Sequence, residues 1–145
     1  MKVVPYASAV ESLQYAQVCR RPDLAFVTGL LGRFQHWKLV KKVLCYLQGT
    51  KNLMMTYRRS DSLHIVGYSD SDYMGDDRKS MSGYVFTLAG GAISWKSSKQ
   101  TITTSFTMYA EFVACYEAMG QVNWLKKFIP GLKVVDDIYR PLKLY

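Results

Sequence analysis

The sequence lacks most features that mark secreted, metal-binding and membrane-spanning proteins. Its three cysteines show no paired spacing and no cluster with the two histidines, which argues against a disulfide framework or a zinc site, so we expect buried thiols. Every apolar run is broken by Lys, Arg, Gly or Asp well short of bilayer thickness, so we predict no membrane contact. The start makes a poor signal peptide, because Pro5 and Glu11 interrupt a very short apolar stretch. We expect an intracellular protein of the cytoplasm or nucleus.

Acidic residues are scarce in one segment of this chain, whose formal net charge is +8. Residues 20–59 contain nine basic residues and one acid, Asp23, whereas the remainder is balanced. Trp37, Tyr46 and Tyr57 are interleaved with the basic residues, a combination that suits contact with a phosphate backbone. The alternative is a solvated helix face whose lysine stems cover a core. The candidate nucleic-acid-binding residues are Arg33, Lys38, Lys41 and Lys42.

The spacing of apolar residues predicts an α/β (α+β) fold whose first third is helical. Helical periodicity covers residues 7–19, 22–34 and 37–47, and strand-like segments cover residues 53–57, 64–68, 83–88 and 92–95. A long helix is predicted over about 105–129, and a further strand begins near residue 141. We therefore expect a helical region over residues 1–52 and a sheet domain over residues 53–145. That domain is expected to hold three antiparallel strands, the long helix and the start of a fourth strand.

Two carboxylates are candidates for chemistry. Asp70 ends an apolar strand at the start of a polar turn, a place that suits a metal ligand or, more simply, a turn former. Glu111 lies on or beside the apolar stripe of the long helix, where a carboxylate must be paired, protonated or bound to a cation. Glu117, six residues further on, is expected to face water. The predicted stripe comprises Met108, Phe112, Cys115, Met119, Val122 and Leu125.

Four segments of the second region resemble the ribonuclease H domain of Ty1/copia-type retrotransposon Pol polyproteins. Residues 68–76, YSDSDYMGD, are similar to the family's YSDADWAGD, and residues 78–84 are similar to its RKSTSGY. Residues 91–100 resemble its GAISWKSKKQ, and residues 110–112 fall on its AEY. The segments follow one another in the family's order, with Asp70 in the first motif and Glu111 in the last.

The first region resembles the reverse transcriptase tail that precedes the nuclease in the same family. Residues 4–10 and 21–25 are similar to its VPYASAVGSL and TRPDIA segments. The resemblance covers essentially the whole chain and implies a reverse transcriptase tail over residues 1–52 and a truncated ribonuclease H-like domain over residues 53–145. Residues 32–37 lack the family's SNPG-type turn, so we expect two helices that are joined too tightly.

The resemblance implies a metal-dependent mechanism of which this chain carries a part. In the family a small set of carboxylates holds a pair of Mg²⁺ ions, and the RNA strand of an RNA–DNA hybrid is cut. Asp70 and Glu111 fall on the first two of these catalytic, metal-binding positions. The family's third acid lies on the next strand, and in this sequence that strand ends at Tyr145, where the segment with the acid would begin. Asp136 and Asp137 precede that strand and do not replace it. We therefore expect Mg²⁺ binding that is weak or lost, and hydrolysis that is lost or very slow.

The sequence leaves three functions open. The first is a non-catalytic remnant that binds RNA–DNA hybrids or another nucleic acid through its basic segment. The second is a weak metal-dependent hybrid nuclease. The third follows from a resemblance to the secreted RxLR effectors of oomycete plant pathogens, which implies delivery into a plant cell, contact with host plant proteins and suppression of defence or cell death. No Arg-x-Leu-Arg lies near the start of the chain.

Overall fold

The computed structural model describes residues 5–59, 64–75, 79–132 and 142–145. The chain divides into two compact units between Met55 and Thr56, whereas the sequence pattern changes at residue 53. The predicted α/β class is confirmed. In chain order the elements are α1 (Tyr6–Arg20), a 3₁₀ turn (Pro22–Leu24), α2 (Ala25–Arg33), α3 (Trp37–Gly49), β1 (Ile65–Asp72), β2 (Met81–Leu88), β3 (Gly91–Lys99), α4 (Thr107–Gly131) and β4 (Lys143–Leu144).

Unit 1, the part before this division, packs α1, α2 and α3 around a small apolar core. α3 shows why a helix forms there, since its apolar residues recur at spacings of three and four and its lysines fall on the opposite side. Burial of that apolar face against α1 and α2 stabilises helices that would be marginal in isolation. The buried core residues are Val10, Leu13, Leu24, Leu31, Val40 and Val43.

An ion pair joins the end of α1 to the end of α3 within unit 1. The Arg21 guanidinium donates to the Asp23 carboxylate at 2.7 Å and to the Thr50 hydroxyl at 2.8 Å. The Tyr46 hydroxyl donates to the same carboxylate at 2.8 Å. The hydrogen bond from Arg21 holds the pKa of Asp23 below its usual value, and the bond from Tyr46 acts in the same direction. The Arg-Pro-Asp sequence of residues 21–23 therefore has a structural role.

Tyr6 closes the short link between α2 and α3. Its hydroxyl lies 2.9 Å from the Leu31 carbonyl oxygen and 2.8 Å from that of Phe34, and it accepts the His36 N–H at 3.2 Å. The Tyr6 ring stands edge-on to Trp37, with the ring centroids 5.4 Å apart. The tight joining of the two helices stays a prediction; the structure shows a link of three residues, residues 34–36, that a phenol from α1 holds.

Unit 2, the part after the division, contains a sheet in the order β3-β2-β1-β4. β1 pairs with β2 and β2 with β3 in antiparallel fashion, whereas β4 runs parallel to β1. A parallel return requires a crossover connection, and α4 lies between β3 and β4 in the chain. The predicted arrangement of three antiparallel strands, a long helix and the start of a fourth strand is confirmed.

The predicted strand over residues 53–57 is wrong, because these residues pair with no strand. Tyr57 instead covers the turn between β2 and β3, where its hydroxyl donates to the Ala92 carbonyl at 2.8 Å. A Cβ at Gly91 would lie 2.5 Å from the Tyr57 ring, so the absence of a side chain there permits the contact. Within this segment Tyr57 makes the packing contact, whereas Leu53 and Met54 are exposed.

The helix α4 packs on β1 and β2 through a face that differs from the predicted one. The first four residues of the predicted stripe are exposed, and only the last two, Val122 and Leu125, are buried as expected. Small side chains let the start of the helix approach the sheet closely, which the larger Met and Phe side chains would prevent. The buried residues of α4 are Ala110, Val113, Ala114, Ala118, Val122, Leu125 and Ile129.

The structure also bears on the cysteines and on membranes. All three cysteines are exposed, so the expectation of buried thiols is wrong. Cys19 lies on α1, Cys45 on α3 and Cys115 on α4. Within residues 5–59, 64–75, 79–132 and 142–145, no helix combines the length and the apolar character that a bilayer crossing needs.

Candidate nucleic-acid interface and carboxylate pair

Three lysines form one exposed face of α3, which we call the lysine face. Lys38, Lys41 and Lys42 lie at helical spacings of three and four residues, and all three are exposed. Val40 and Val43 occupy the opposite side and are buried in the core of unit 1. None of the three ammonium groups has an acidic partner in the part of the chain that the structure describes. The lysine face therefore presents uncompensated positive charge to solvent.

The lysine face begins where a helix disfavours positive charge. Lys38 lies in the first turn of α3, and a cation at that end of the macrodipole costs about 0.3–1 kcal/mol. That turn contains no acidic residue, and no side chain caps it. Trp37, beside Lys38, is also exposed. A helix start of this kind does not stabilise its own helix, but it is suited to bind an anion from outside the protein.

Arg33, the fourth candidate for nucleic-acid contact, differs from the lysines. It lies half-buried in the last turn of α2, with its guanidinium carbon 5.8 Å from the centroid of the Phe34 ring. A cation at a helix C-terminus is favoured by the macrodipole, so the packing of unit 1 is sufficient to explain this arginine. The residues that the structure makes available to a phosphate backbone are chiefly those of the lysine face.

Asp70 lies on β1, opposite Gly83 of β2, and is exposed. Its Oδ1 accepts the backbone N–H of Ser71 at 2.9 Å. The preceding residue, Ser69, faces α4, since its hydroxyl lies 3.4 Å from the Cys115 sulfur. Because side chains alternate along a strand, Asp70 is directed to the face of the sheet that α4 does not cover.

The structure reverses the expected positions of the two glutamates on α4. Glu111 was expected beside the buried stripe, but it is exposed. Glu117 was expected to face water, but it is half-buried. Burial raises the pKa of Tyr84 on β2, and the charge of Glu117 adds to this effect. The cause of the reversal is the alanine-rich face of α4, which packs on the sheet and turns Glu111 away from it.

The described carboxylates do not assemble a metal site. Asp70 points to the open face of the sheet, whereas Glu111 lies on the helix that covers the other face. In the described residues, no three His, Cys, Asp or Glu side chains come together to hold a metal ion. Mg²⁺ is held in proteins by a few carboxylates together with substrate phosphates. Metal binding by Asp70 and Glu111 therefore stays a prediction. Outside the described residues lie Asp76, Asp77, Asp136 and Asp137.

Gln100 fixes the start of α4, and the sequence analysis missed it. Its side chain is 1% exposed and donates to the Ser82 hydroxyl at 2.9 Å and to the Ala110 carbonyl at 2.8 Å. Since Ala110 directly precedes Glu111, the hydrogen bond from Gln100 also holds the backbone next to that glutamate. A single glutamine after a strand is ordinarily solvated, so no local signal in the sequence distinguishes this one.

Comparison with known proteins bears on the origin of these residues. The chain is 44% identical over 147 residues to the Retrovirus-related Pol polyprotein from transposon TNT 1-94 of Nicotiana tabacum, in a match that covers 96% of the chain. It is 31% identical over 137 residues to the Retrovirus-related Pol polyprotein from transposon RE2 of Arabidopsis thaliana, over 89% of the chain. Along almost its whole length the chain is similar to a segment of copia-type Pol polyproteins. Its sequence is therefore transposon-derived.

The chain matches only a small part of each of these polyproteins. The chain spans 11% of the tobacco polyprotein and 9% of the Arabidopsis one. It is also 42% identical over 133 residues to the Secreted RxLR effector protein 161 of Plasmopara viticola, a match that covers 86% of this chain and 94% of that protein. No protein-family model and no solved structure matches the chain.

Proposed function

We propose that the chain is a ribonuclease H-like fragment of a Pol polyprotein that binds RNA–DNA hybrids without cutting them. The observation that carries this proposal is the lysine face, which is exposed, lacks acidic partners among the described residues and begins at a helix N-terminus. Positive charge that pairs with no acid among the described residues, and that weakens its own helix, is suited to a phosphate backbone.

The architecture of unit 2 supports the ribonuclease H-like assignment. An aspartate near the end of the first strand, two further antiparallel strands and then a helix that carries a glutamate is the order that the sequence resemblance implies. The parallel pairing of β4 with β1 extends this order by one strand. The motifs of residues 68–76 and 91–100 fall largely on β1 and β3, so they lie in the sheet.

The positions of the two carboxylates support binding without cleavage. Metal-assisted hydrolysis needs ligands that converge on ions at the scissile phosphate. Asp70 and Glu111 lie on opposite faces of unit 2, so a weak and transient Mg²⁺ contact is what we expect of either one. The lysine face does not depend on a metal ion, which makes binding the activity that this chain retains.

The binding experiment compares two sets of lysines. Fluorescence anisotropy with a labelled RNA–DNA hybrid is measured for the wild type and for a variant that combines Lys38→Ala, Lys41→Ala and Lys42→Ala. We expect affinity to fall by roughly 30- to 100-fold at low salt, since three phosphate contacts are lost. The matched control replaces three exposed lysines of unit 2 by alanine and should change affinity less than about threefold. These control positions are Lys96, Lys99 and Lys127.

The cleavage experiment incubates the same hybrid with the folded protein in Mg²⁺ and in Mn²⁺, beside the Asp70→Asn variant. We expect the hybrid to remain intact in every reaction while the binding assay shows a complex. Metal-dependent cleavage by the wild type that disappears in Asp70→Asn would establish the weak nuclease and contradict the proposal.

A second candidate function rests on the Plasmopara viticola relative, whose length the match almost fills. Under this alternative the chain acts inside plant cells on host proteins, as a secreted effector would. Expression in plant cells followed by a cell-death assay tests it. A response that survives both Asp70→Asn and Glu111→Gln and also survives loss of the lysine face would favour the effector function over hybrid binding.

A further inference from the structure

The helix α4 has a second apolar face that the described chain leaves uncovered. Met108, Phe112, Tyr116 and Met119 are 72%, 65%, 74% and 47% exposed, and we call these four residues the α4 seam. They follow one another at spacings of four, four and three residues, so they form one stripe along the helix. Large apolar side chains that cluster in this way mark a site of protein contact.

The α4 seam continues into polar residues towards the end of the helix. At spacings of four and three beyond Met119 come Asn123 and Lys126, both of them exposed. Glu111 lies beside the seam at its start and is exposed as well. The stripe is therefore apolar and acidic before Met119 and basic after it. Phe112 precedes Met119 by seven residues, and Lys126 follows it by seven.

From this pattern we infer that the α4 seam is a self-association surface, on which a second copy of the chain packs its own α4 in antiparallel orientation. With Met119 of both copies at the two-fold axis, Phe112 of each copy lies opposite Lys126 of the other. The lysine stem covers the ring, and its ammonium group reaches the neighbouring Glu111 carboxylate. Because the contact is isologous, each such pair occurs twice.

The charge pattern selects a second copy over an unrelated partner. A different helix would need its own acid and base placed in the reverse order, whereas α4 already provides both, with Glu111 eight residues before Met119 and Lys126 seven residues after it. The exposed part of the four seam side chains is about 500 Å² in each copy. A pair would thus bury roughly 1,000 Å², the lower limit for a specific interface, so we expect a dimer with a dissociation constant in the micromolar range.

The first experiment is sedimentation analysis of the nuclease-treated, full-length chain in 150 mM salt over a wide range of concentrations. We expect a monomer–dimer equilibrium that Phe112→Asp weakens at least tenfold. Glu111→Lys and Lys126→Glu should each weaken the dimer roughly fivefold, because each places two like charges together. The double variant restores both pairs and should recover the wild-type constant. A monomer at all concentrations, or a dimer unaffected by these changes, would overturn the inference.

A cross-linking experiment tests the position of the two-fold axis. In a background in which the three native cysteines are replaced by serine, Met119→Cys should form an intermolecular disulfide with oxidised glutathione as oxidant. Gly120→Cys provides the matched control, since residue 120 is exposed, has open space around its Cβ and lies about 100° further around the helix. Equal cross-linking of the two variants would contradict the antiparallel pairing. Neither assay contains nucleic acid, so failure here is distinct from failure of hybrid binding.

Discussion

Unit 1 and unit 2 use their polar and apolar side chains differently. In unit 1 the groups left open at helix ends find partners far away in sequence, as Tyr6 at the link before α3 and Arg21 at the end of α1 show. In unit 2 strand pairing satisfies the backbone, and Gln100 holds the start of α4. Both units keep exposed apolar side chains, and in unit 2 four of them form the α4 seam.

The two units also differ in charge. Residues 1–55 carry eight of the 19 Lys and Arg residues and two of the 11 acids. One of these acids, Asp23, forms an ion pair with Arg21, and no described acid pairs with the lysine face. Unit 2 has the carboxylates that suggest chemistry, but their positions do not converge. The difference teaches that the lysine face lies in unit 1, whereas the apolar α4 seam lies in unit 2.

The largest expected effect on stability concerns Gln100 in unit 2. Gln100→Leu removes the buried hydrogen bonds that the Gln100 amide donates to the Ser82 hydroxyl and the Ala110 carbonyl, so we expect the free energy of unfolding to fall by about 2 kcal/mol. The matched control is Gln121→Leu, which removes a half-buried 3.0 Å bond to Ser94 and should cost less than about 1 kcal/mol. Urea unfolding followed by tryptophan fluorescence measures both. Equal losses would show that Gln100 does not hold α4.

A smaller effect is expected at Tyr6 in unit 1. Tyr6→Phe keeps the ring contact with Trp37 but removes the hydroxyl at the link between α2 and α3, and should cost about 1–1.5 kcal/mol. Tyr15→Phe makes the same chemical change on the same helix, at a side chain that is 75% exposed, and should be neutral. Thermal unfolding followed by circular dichroism compares the two variants. A neutral Tyr6→Phe would mean that water replaces the phenol at this link.

The smallest effect concerns the ion pair of unit 1 and depends on pH. The folded-state pKa of Asp23 is lowered, chiefly by the hydrogen bond from Arg21, so its charge stabilises unit 1 above the unfolded-state pKa of about 4. That contribution is lost as pH falls through the lowered folded-state pKa. Asp23 is partly exposed, so Asp23→Asn should cost less than about 1 kcal/mol at pH 7.

The expected gap between wild type and Asp23→Asn narrows when urea unfolding is repeated at decreasing pH below about 4. Glu11→Gln, an exposed site on α1, is the control for loss of one negative charge with the ion pair intact. A gap that widened on acidification would give the opposite sign and contradict the stabilising role of Asp23.

Sequence patterns predict the elements of this molecule better than they predict its contacts. Apolar periodicity places α1, α3 and α4 within two residues of their observed ends, because a single buried face sets both the period and the packing. Apolar periodicity does not predict which residues of α4 are buried, since that helix has two apolar faces and only its packing on the sheet determines which face is buried. It also fails for Tyr6 and Gln100, whose partners lie 10–30 residues away.

The candidate sites divide in the same manner. The lysine face follows from spacing alone, because three lysines opposite two valines fix both the exposure and the side. Sequence motifs identify the two carboxylates, but they do not predict the directions in which the two side chains point. Asp70 points away from α4 because side chains alternate along β1. Glu111 points away from the sheet because the alanine-rich face of α4 packs there. Both directions depend on how α4 packs on β1.

The most direct test of the account is the salt dependence of RNA–DNA hybrid affinity for the wild type and for the triple alanine variant of the lysine face. Three phosphate contacts predict that the slope of log K against log salt is steeper by about 2–3 in the wild type than in the variant. A common slope for the two proteins would contradict the account, because the lysine face would then release no counterions when the hybrid binds.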